Sequence, residues 1–188
     1  IQIQFSINKD IATIMLDTSG IALHKRGYRK VANLAPIRET LAAGILDIAR
    51  IYPDTQLYDP FCGSGTFLIE AAYKAKNIAP GIYRRFAAEK WDSLPSKIWQ
   101  TSREEAIEKI RKDIEFTAFG SDISQDSLEI AEANARRAGI SGLIRLEKAD
   151  VKNFTIPDRK SLVVTNPPYG ERLMNGEDLT KLYQTMGN

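Results

Sequence analysis

The tetrapeptide Asn166-Pro167-Pro168-Tyr169 carries the most specific chemistry in the chain. A conjugated NH2 group is a poor nucleophile, because its lone pair is spread into the neighbouring π-system. Two acceptors aimed at its N–H bonds turn that lone pair outward: the side-chain oxygen of Asn166 and the backbone carbonyl of Pro167. The prolines at 167 and 168 fix the backbone so that both acceptors point together. Tyr169 offers a ring face on which a flipped-out planar base can stack. The same four residues could also be a rigid turn after a buried strand, and the residues upstream decide between the two readings.

Upstream stands Asp59-Pro60-Phe61-Cys62-Gly63-Ser64-Gly65. Gly63 and Gly65 let the backbone turn tightly after a strand and approach a ligand closely. No lysine follows, so this is not a phosphate-binding P-loop, and the third glycine of a dinucleotide fingerprint is missing. Asp59 would repel a pyrophosphate but attract a sulfonium or an ammonium. S-adenosylmethionine (SAM) carries both of those cations and no phosphate, so the loop favours it over NAD or ATP. Asp122 ends the next strand, where an acid accepts the two ribose hydroxyls of a nucleoside; it also reads as a helix N-terminal acid. Asp150 ends the third strand, within reach of an adenine amino group, or serves as a turn residue. A methyl sulfonium and a conjugated amine form a matched donor and acceptor. No strong base is needed, because the proton becomes acidic as the N–C bond forms. Cys62 sits in the cofactor loop, badly placed to attack a pyrimidine.

These motifs need elements to hold them. Residues 1–18 alternate apolar and polar around Asn8-Lys9-Asp10, a β-hairpin pattern. A helix follows, with Pro36 in its first turn and Ile37, Leu41, Ile45 and Ile48 on one face. Strands are expected at Leu57-Tyr58, Phe116 to Phe119, Leu143 to Leu146 and Leu162 to Val164. Helices are expected from Thr66 to Lys76 and after the Ser124 cap, the latter stopping at Gly139. Leu128, Ala131, Ala135 and Ala138 give the second of these a packing face. Alternating strands and helices predict an α/β fold: a Rossmann-like parallel sheet with helices on both faces. Ligands bind such sheets at the carboxyl ends of the strands, where every motif above falls. Residues 77–115 interrupt the rhythm, with Trp91, Trp99 and Arg84-Arg85 in a loop and a charged surface helix over Ser102 to Arg111. They are either padding on the sheet edge or a substrate-side insertion.

With 188 residues, 43% of them hydrophobic and 27% charged, the chain is sized for one domain. A division into residues 1–30 and a catalytic domain over 31–188 is expected. One cysteine and one histidine exclude a disulfide framework and a cysteine- or histidine-rich metal site. No apolar run is long enough to span a membrane; a reducing, cytoplasmic setting and no metal or membrane partner are expected. The net charge of +2 does not announce nucleic-acid binding. The cluster His24-Lys25-Arg26-Gly27-Tyr28-Arg29-Lys30 mixes cations with an aromatic; it is either solvated surface or a contact for nucleic acid.

The residues above resemble class I SAM-dependent methyltransferases with an Asn-Pro-Pro-Tyr motif. More closely, the chain is similar to the bacterial 23S rRNA guanine-N2 methyltransferase family, whose members often carry the label N6-adenine-specific DNA methylase. The similarity runs through Leu16 to Gly20, Leu23 to Arg29, Ala35 to Ala42, Asp59 to Thr66, Asn77 to Gly81, Gly120 to Asp122 and Thr165 to Gly170. The Leu-His-Lys-Arg-Gly-Tyr-Arg and Ile-Ala-Pro-Gly stretches are the narrowest and favour rRNA. The resemblance implies that Asp59, Gly63, Gly65 and Thr66, with Phe61 and Cys62, line the methionine end of SAM. It gives the ribose to Asp122 beside Ile123, the adenine to Asp150 with Val151, and a closing segment to Pro36. Asn166 to Tyr169 hold the target amine, Asn166 also bordering the cofactor. The family carries an RNA-binding THUMP domain, expected in the full-length protein, and its sheet continues beyond a fourth strand, so the chain reads as part of a longer one. The alternatives are an adenine-N6 DNA methylase, a protein glutamine methylase, and a non-catalytic fragment that binds SAM or RNA.

Overall fold

The computed structural model describes residues 1–30, 36–155, 161–169 and 176–186. Ala35 and Gly170, which the family resemblance includes, lie outside the described residues.

Strands β1 (Gln2–Asn8) and β2 (Ile11–Asp17) form the expected antiparallel hairpin, pairing Gln2 with Asp17 and Asn8 with Ile11. Lys9 and Asp10 both have positive φ, 47° and 59°, the geometry of a type I′ turn whose twist matches that of the strands. The two-residue period places Ile3, Phe5, Ile7, Ala12, Ile14 and Leu16 on one face, and all six are exposed. At the base of the hairpin Asp17 Oδ1 accepts the amides of Ser19 (2.8 Å) and Gly20 (3.2 Å) and turns the chain.

The main sheet is parallel, in the order β5 (Ile144–Lys148), β4 (Thr117–Asp122), β3 (Gln56–Asp59), β6 (Leu162–Val163). Its helices are α1 (Glu39–Ala49), α2 (Thr66–Lys76), α3 (Ser96–Glu108), α4 (Gln125–Arg137) and α5 (Gly176–Met186). The bounds of α2 are those its sequence pattern predicts. Helix α4 begins at the Ser124 cap, whose Oγ accepts the Ser127 amide, and stops before Gly139 at φ 71°. From β3 through β4 to β5 the chain steps in one direction, so right-handed crossovers bring α2 and α4 to the same face. That face buries Leu57, Ala118 and Ile144. On the other face Tyr58 stacks on Phe119 at 4.7 Å, with Phe154 edge-on at 6.2 Å.

Gly120 is where α2 comes closest to β4. A Cβ there would lie 2.4 Å from Leu68 Cδ1, 3.0 Å from Leu146 Cδ2 and 3.1 Å from Cys62 Cβ. Leu68 is fully buried. Gly120→Ala should therefore destabilise the fold by about 2–3 kcal/mol, a fall in Tm of several degrees in a thermal melt.

The structure corrects three expectations. Helix α1 starts at Glu39, leaving Pro36 ahead of it, and its buried residues are Glu39, Ala42 and Leu46. Leu41 (56% exposed) and Ile48 (85%) face outward. The face is turned because Glu39 is drawn inward to Arg29, 3.6 Å from its Nε. The helix expected at Ser102 starts at Ser96, behind Pro95, with Trp99 stacked on Phe86 at 5.6 Å. The basic cluster at 24–30 is neither wholly surface nor free for a ligand. Arg26 pairs with Glu70 of α2 at 3.4 Å, the buried Tyr28 donates to the same carboxylate at 3.0 Å, and Arg29 reaches α1 and α2. Lys25 and Lys30 remain exposed. Residues 77–115 dock on the hairpin base: Ala88 donates to Thr18 O (3.1 Å), Ala87 to Ser19 O (3.3 Å), and the Arg84 guanidinium to Ile21 O. Among the described residues no helix is long and apolar enough to cross a membrane.

Candidate active site

The order β5-β4-β3-β6 reverses at β3: the chain leaves β3 toward β4 and later returns to its other side as β6. The connections diverge there, and a crevice opens at the carboxyl ends of the strands. It is a cavity of about 660 Å3. Asp59, Phe61, Cys62, Gly63 and Thr66 form one wall. Asp122 and Ile123 from the β4 end, and Asp150 and Val151 from the β5 end, form another. Pro36 borders it ahead of α1, and Asn166, Pro167, Pro168 and Tyr169 close it beyond β6. Of the expected site residues only Gly65 is not in the wall. It starts α2 with φ 79°, and a Cβ on it would meet Ala131 Cβ at 3.1 Å. Its absence of a side chain serves the close approach of α2 to α4, at a left-handed φ that favours glycine.

The glycine loop is held at several points. Gly63 donates to Asp122 Oδ2 at 3.0 Å, Cys62 N to Ser121 O at 2.9 Å, and Gly65 N to Cys62 O at 2.8 Å. The fully buried Asn134 of α4 donates to Ser64 O at 3.1 Å. Asp122 uses its other oxygen to accept the Ser124 amide at 2.9 Å. Its two sequence readings are thus compatible, because a carboxylate offers about four lone-pair sites and two are used here. Asp150 accepts the Lys152 amide at 3.0 Å, so it too shapes a turn while facing the cavity.

Asp59 is the electrostatic centre. It is buried, and its Oδ1 accepts the Thr165 hydroxyl at 2.6 Å and the Phe61 amide at 3.2 Å. Burial pushes its carboxyl up to about 7; the two hydrogen bonds pull it down, and the Asp122 charge adds to the rise. A carboxylate so short of counter-charge favours a cation beside it. The Thr165 bond also ties the cofactor wall to the residue preceding Asn166. Burial, with the charges of Asp59 and Asp122, pushes the Cys62 thiol far up, which makes it a poor nucleophile. Beyond β6 Tyr169 is 61% exposed, and Tyr183 of α5 donates to Pro168 O at 3.1 Å.

Sequence reasoning missed several wall residues. Pro60 and Ser64 lie within the glycine-loop motif but carry no expected role, and Ile37 and Phe67 adjoin expected residues. Lys181 and Leu182 come from α5, which has no counterpart among the expected elements. Asn134 had one available signal: an amide on the otherwise small, apolar stripe of α4 requires a partner. Among the described residues no group of three or more potential metal ligands converges.

Comparison with known proteins agrees with this geometry. A family model described as RMKL-like, methyltransferase domain, matches residues 26–188. The Bacillus subtilis (strain 168) protein named "Putative RNA methyltransferase YpsC" is 44% identical over 186 residues, 99% of this chain and 48% of that protein. The ribosomal RNA large subunit methyltransferase K/L of Psychromonas ingrahamii is 46% identical over 185 residues, 95% of this chain and 25% of that protein. The chain therefore spans about half the length of the first relative and a quarter of the second. Among solved structures, SMU.472, described as "a putative methyltransferase complexed with SAH", matches with a TM-score of 0.91 at 40% identity, over 98% of this chain and 48% of that one. The fold is the α/β sheet of methyltransferases, and a methyltransferase domain of this kind uses SAM. The chain belongs to the family of RMKL-like methyltransferase domains.

Proposed function

We propose that this chain is the catalytic part of an enzyme that methylates the exocyclic amine of a base in RNA, with guanine N2 of 23S rRNA the favoured target. The observation that carries the reading is the Asn166 to Tyr169 turn at the mouth of a cavity whose inner wall holds the buried Asp59. SAM, when bound, supplies a methyl group activated on a sulfonium. Asp59 faces its cationic methionine end, Asp122 the ribose beside Ile123, and Asp150 with Val151 the adenine. Asn166 Oδ1 and the Pro167 carbonyl accept the two amine hydrogens, turning the nitrogen lone pair toward the cofactor. Tyr169 stacks on the base, and Tyr183 steadies the turn through Pro168. The amine proton leaves to solvent once the N–C bond has formed.

RNA is preferred over DNA because two relatives are named for RNA, one of them for ribosomal RNA. The acceptors themselves suit any conjugated NH2, so guanine rests on the family resemblance. The full-length protein is expected to carry a THUMP-type RNA-binding domain and to act in the cytoplasm. The test is transfer of labelled methyl from SAM to unmodified 23S rRNA, to DNA and to a glutamine peptide, by this chain and by the full-length protein. Label recovered as N2-methylguanosine is the expected result. Label confined to DNA adenine or to the peptide would overturn the substrate, and SAM binding without any transfer by either protein would leave a cofactor-binding module.

A further inference from the structure

The methionine end of SAM carries two opposite charges, and Asp59 answers only the ammonium. We propose that Arg29 is the positioning residue for the carboxylate, acting through Thr66; the inference rests on the cofactor site proposed above. One nitrogen of Arg29, Nη2, donates to Thr66 Oγ1 at 2.5 Å and to Ile37 O at 2.9 Å. Both recipients line the cofactor cavity, on the α2 side and ahead of α1, while Arg29 stands behind them. Glu39 lies 3.6 Å from Nε, beside Nη2 on the same edge of the guanidinium, and forms an ion pair with it.

The consequence lies in a single proton. A hydroxyl has one hydrogen to give. Thr66 is 3% exposed, and its oxygen already accepts from Arg29, so its own hydrogen must find another acceptor. Among the described residues its other hydroxyl partner is Ser64 Oγ at 3.4 Å, the long limit of a hydrogen bond, and either oxygen can donate there. A carboxylate oxygen in the cavity is a far better one. Arg29 thus directs the Thr66 hydroxyl hydrogen toward the cavity, while its own charge is paired with Glu39. The start of α2 adds to the same field: Gly65 offers no capping side chain, and the first turn holds no acid. The lysines of the wall, Lys152 and Lys181, lie on the Asp150 side, where α5 packs against residues 151–153.

A ligand that lacks only the carboxylate separates this role from a structural one. SAM and decarboxylated SAM would be titrated calorimetrically into the chain and into R29M, T66V and the double variant, each checked for folding by thermal melt. The expected result is about a tenfold loss of SAM affinity in each single variant, with decarboxylated SAM changed less than twofold, and a double variant no worse than either single one. T66V removes the hydroxyl while sparing the Arg29–Glu39 pair, so it decides the matter if R29M does not fold. Equal losses for both ligands would overturn the proposal and leave Arg29 a structural clamp. A wild-type chain that binds neither ligand would overturn the cofactor site itself.

Discussion

Asn166→Ala should lower kcat by about 100- to 1000-fold while leaving SAM affinity within a few-fold. An acceptor that acts on the amine only as its lone pair turns outward contributes to the transition state more than to binding, and loss of one such preorganised partner costs about that much. Single-turnover methyl transfer, with SAM affinity measured in parallel, separates the two effects. Asn166→Asp should fall between, since a carboxylate still accepts but places a further negative charge near Asp59. Tyr169→Ala should act on the other quantity: a ring that is 61% exposed at the cavity mouth is free to stack. Its loss should raise KM for RNA about tenfold. A kcat for Asn166→Ala within tenfold of wild type would remove the amine-holding role.

Asp59→Asn should weaken SAM about 10- to 100-fold at pH 8 and flatten the dependence of affinity on pH. The Asp59 carboxyl lies at about 7, because burial favours its protonated form. A cation beside it requires the ionised form, so wild-type affinity should fall about tenfold per pH unit below pH 7. Binding near pH 7 should release a proton, which calorimetry reads as a dependence on buffer ionisation enthalpy. The stability of the unliganded chain moves the opposite way. In the unfolded chain an aspartate titrates near 4, so the folded carboxyl has the raised pKa. Its contribution is complete below about pH 4 and is lost as pH rises through about 7. Asp59→Asn should remove that slope from pH-dependent denaturation. A wild-type affinity that stays level from pH 6 to 8 would refute the role of the carboxyl.

Local chemistry was legible in the sequence, and pairing was not. The run from Asp59 to Lys76 could be read because a strand, a glycine turn and an apolar helix each leave a local pattern, and α2 has the predicted ends. The I′ hairpin and the Ser124 cap follow from the same kind of signal. The cations at 26 and 29 left no trace of where they point, since an arginine in water and one beside a buried acid look alike. The partner held the clue. Glu70 sits among Phe67, Leu68, Ile69, Ala71 and Ala72, all buried, and an acid on such a helix requires a donor. Glu39 likewise rotated α1 away from its most apolar stripe. Gly65 shows that a glycine in such a loop also serves helix packing, which its sequence context does not display.

The pairing of β6 with β3 joins Leu57 to Leu162 and Tyr58 to Val163. Ribosomal synthesis runs at about 5–20 residues per second, so the Asn166 to Tyr169 turn leaves the ribosome several seconds after the glycine loop. In that interval β3, α2, β4, α4 and β5 can dock, and the walls made by Asp59 to Thr66, Asp122 and Asp150 can form alone. The wall that carries Asn166 then joins through the two residues of β6, the Val164 amide on Tyr58 O at 3.0 Å and the Thr165–Asp59 bond. Among the described residues this is the sheet pairing with the fewest residues, and so the place for local opening without unfolding. Hydrogen exchange in this chain should therefore be faster at Val163 and Val164 than at Ala118 and Phe119, so that the cavity opens from the Asn166 side while the glycine-loop wall stays folded.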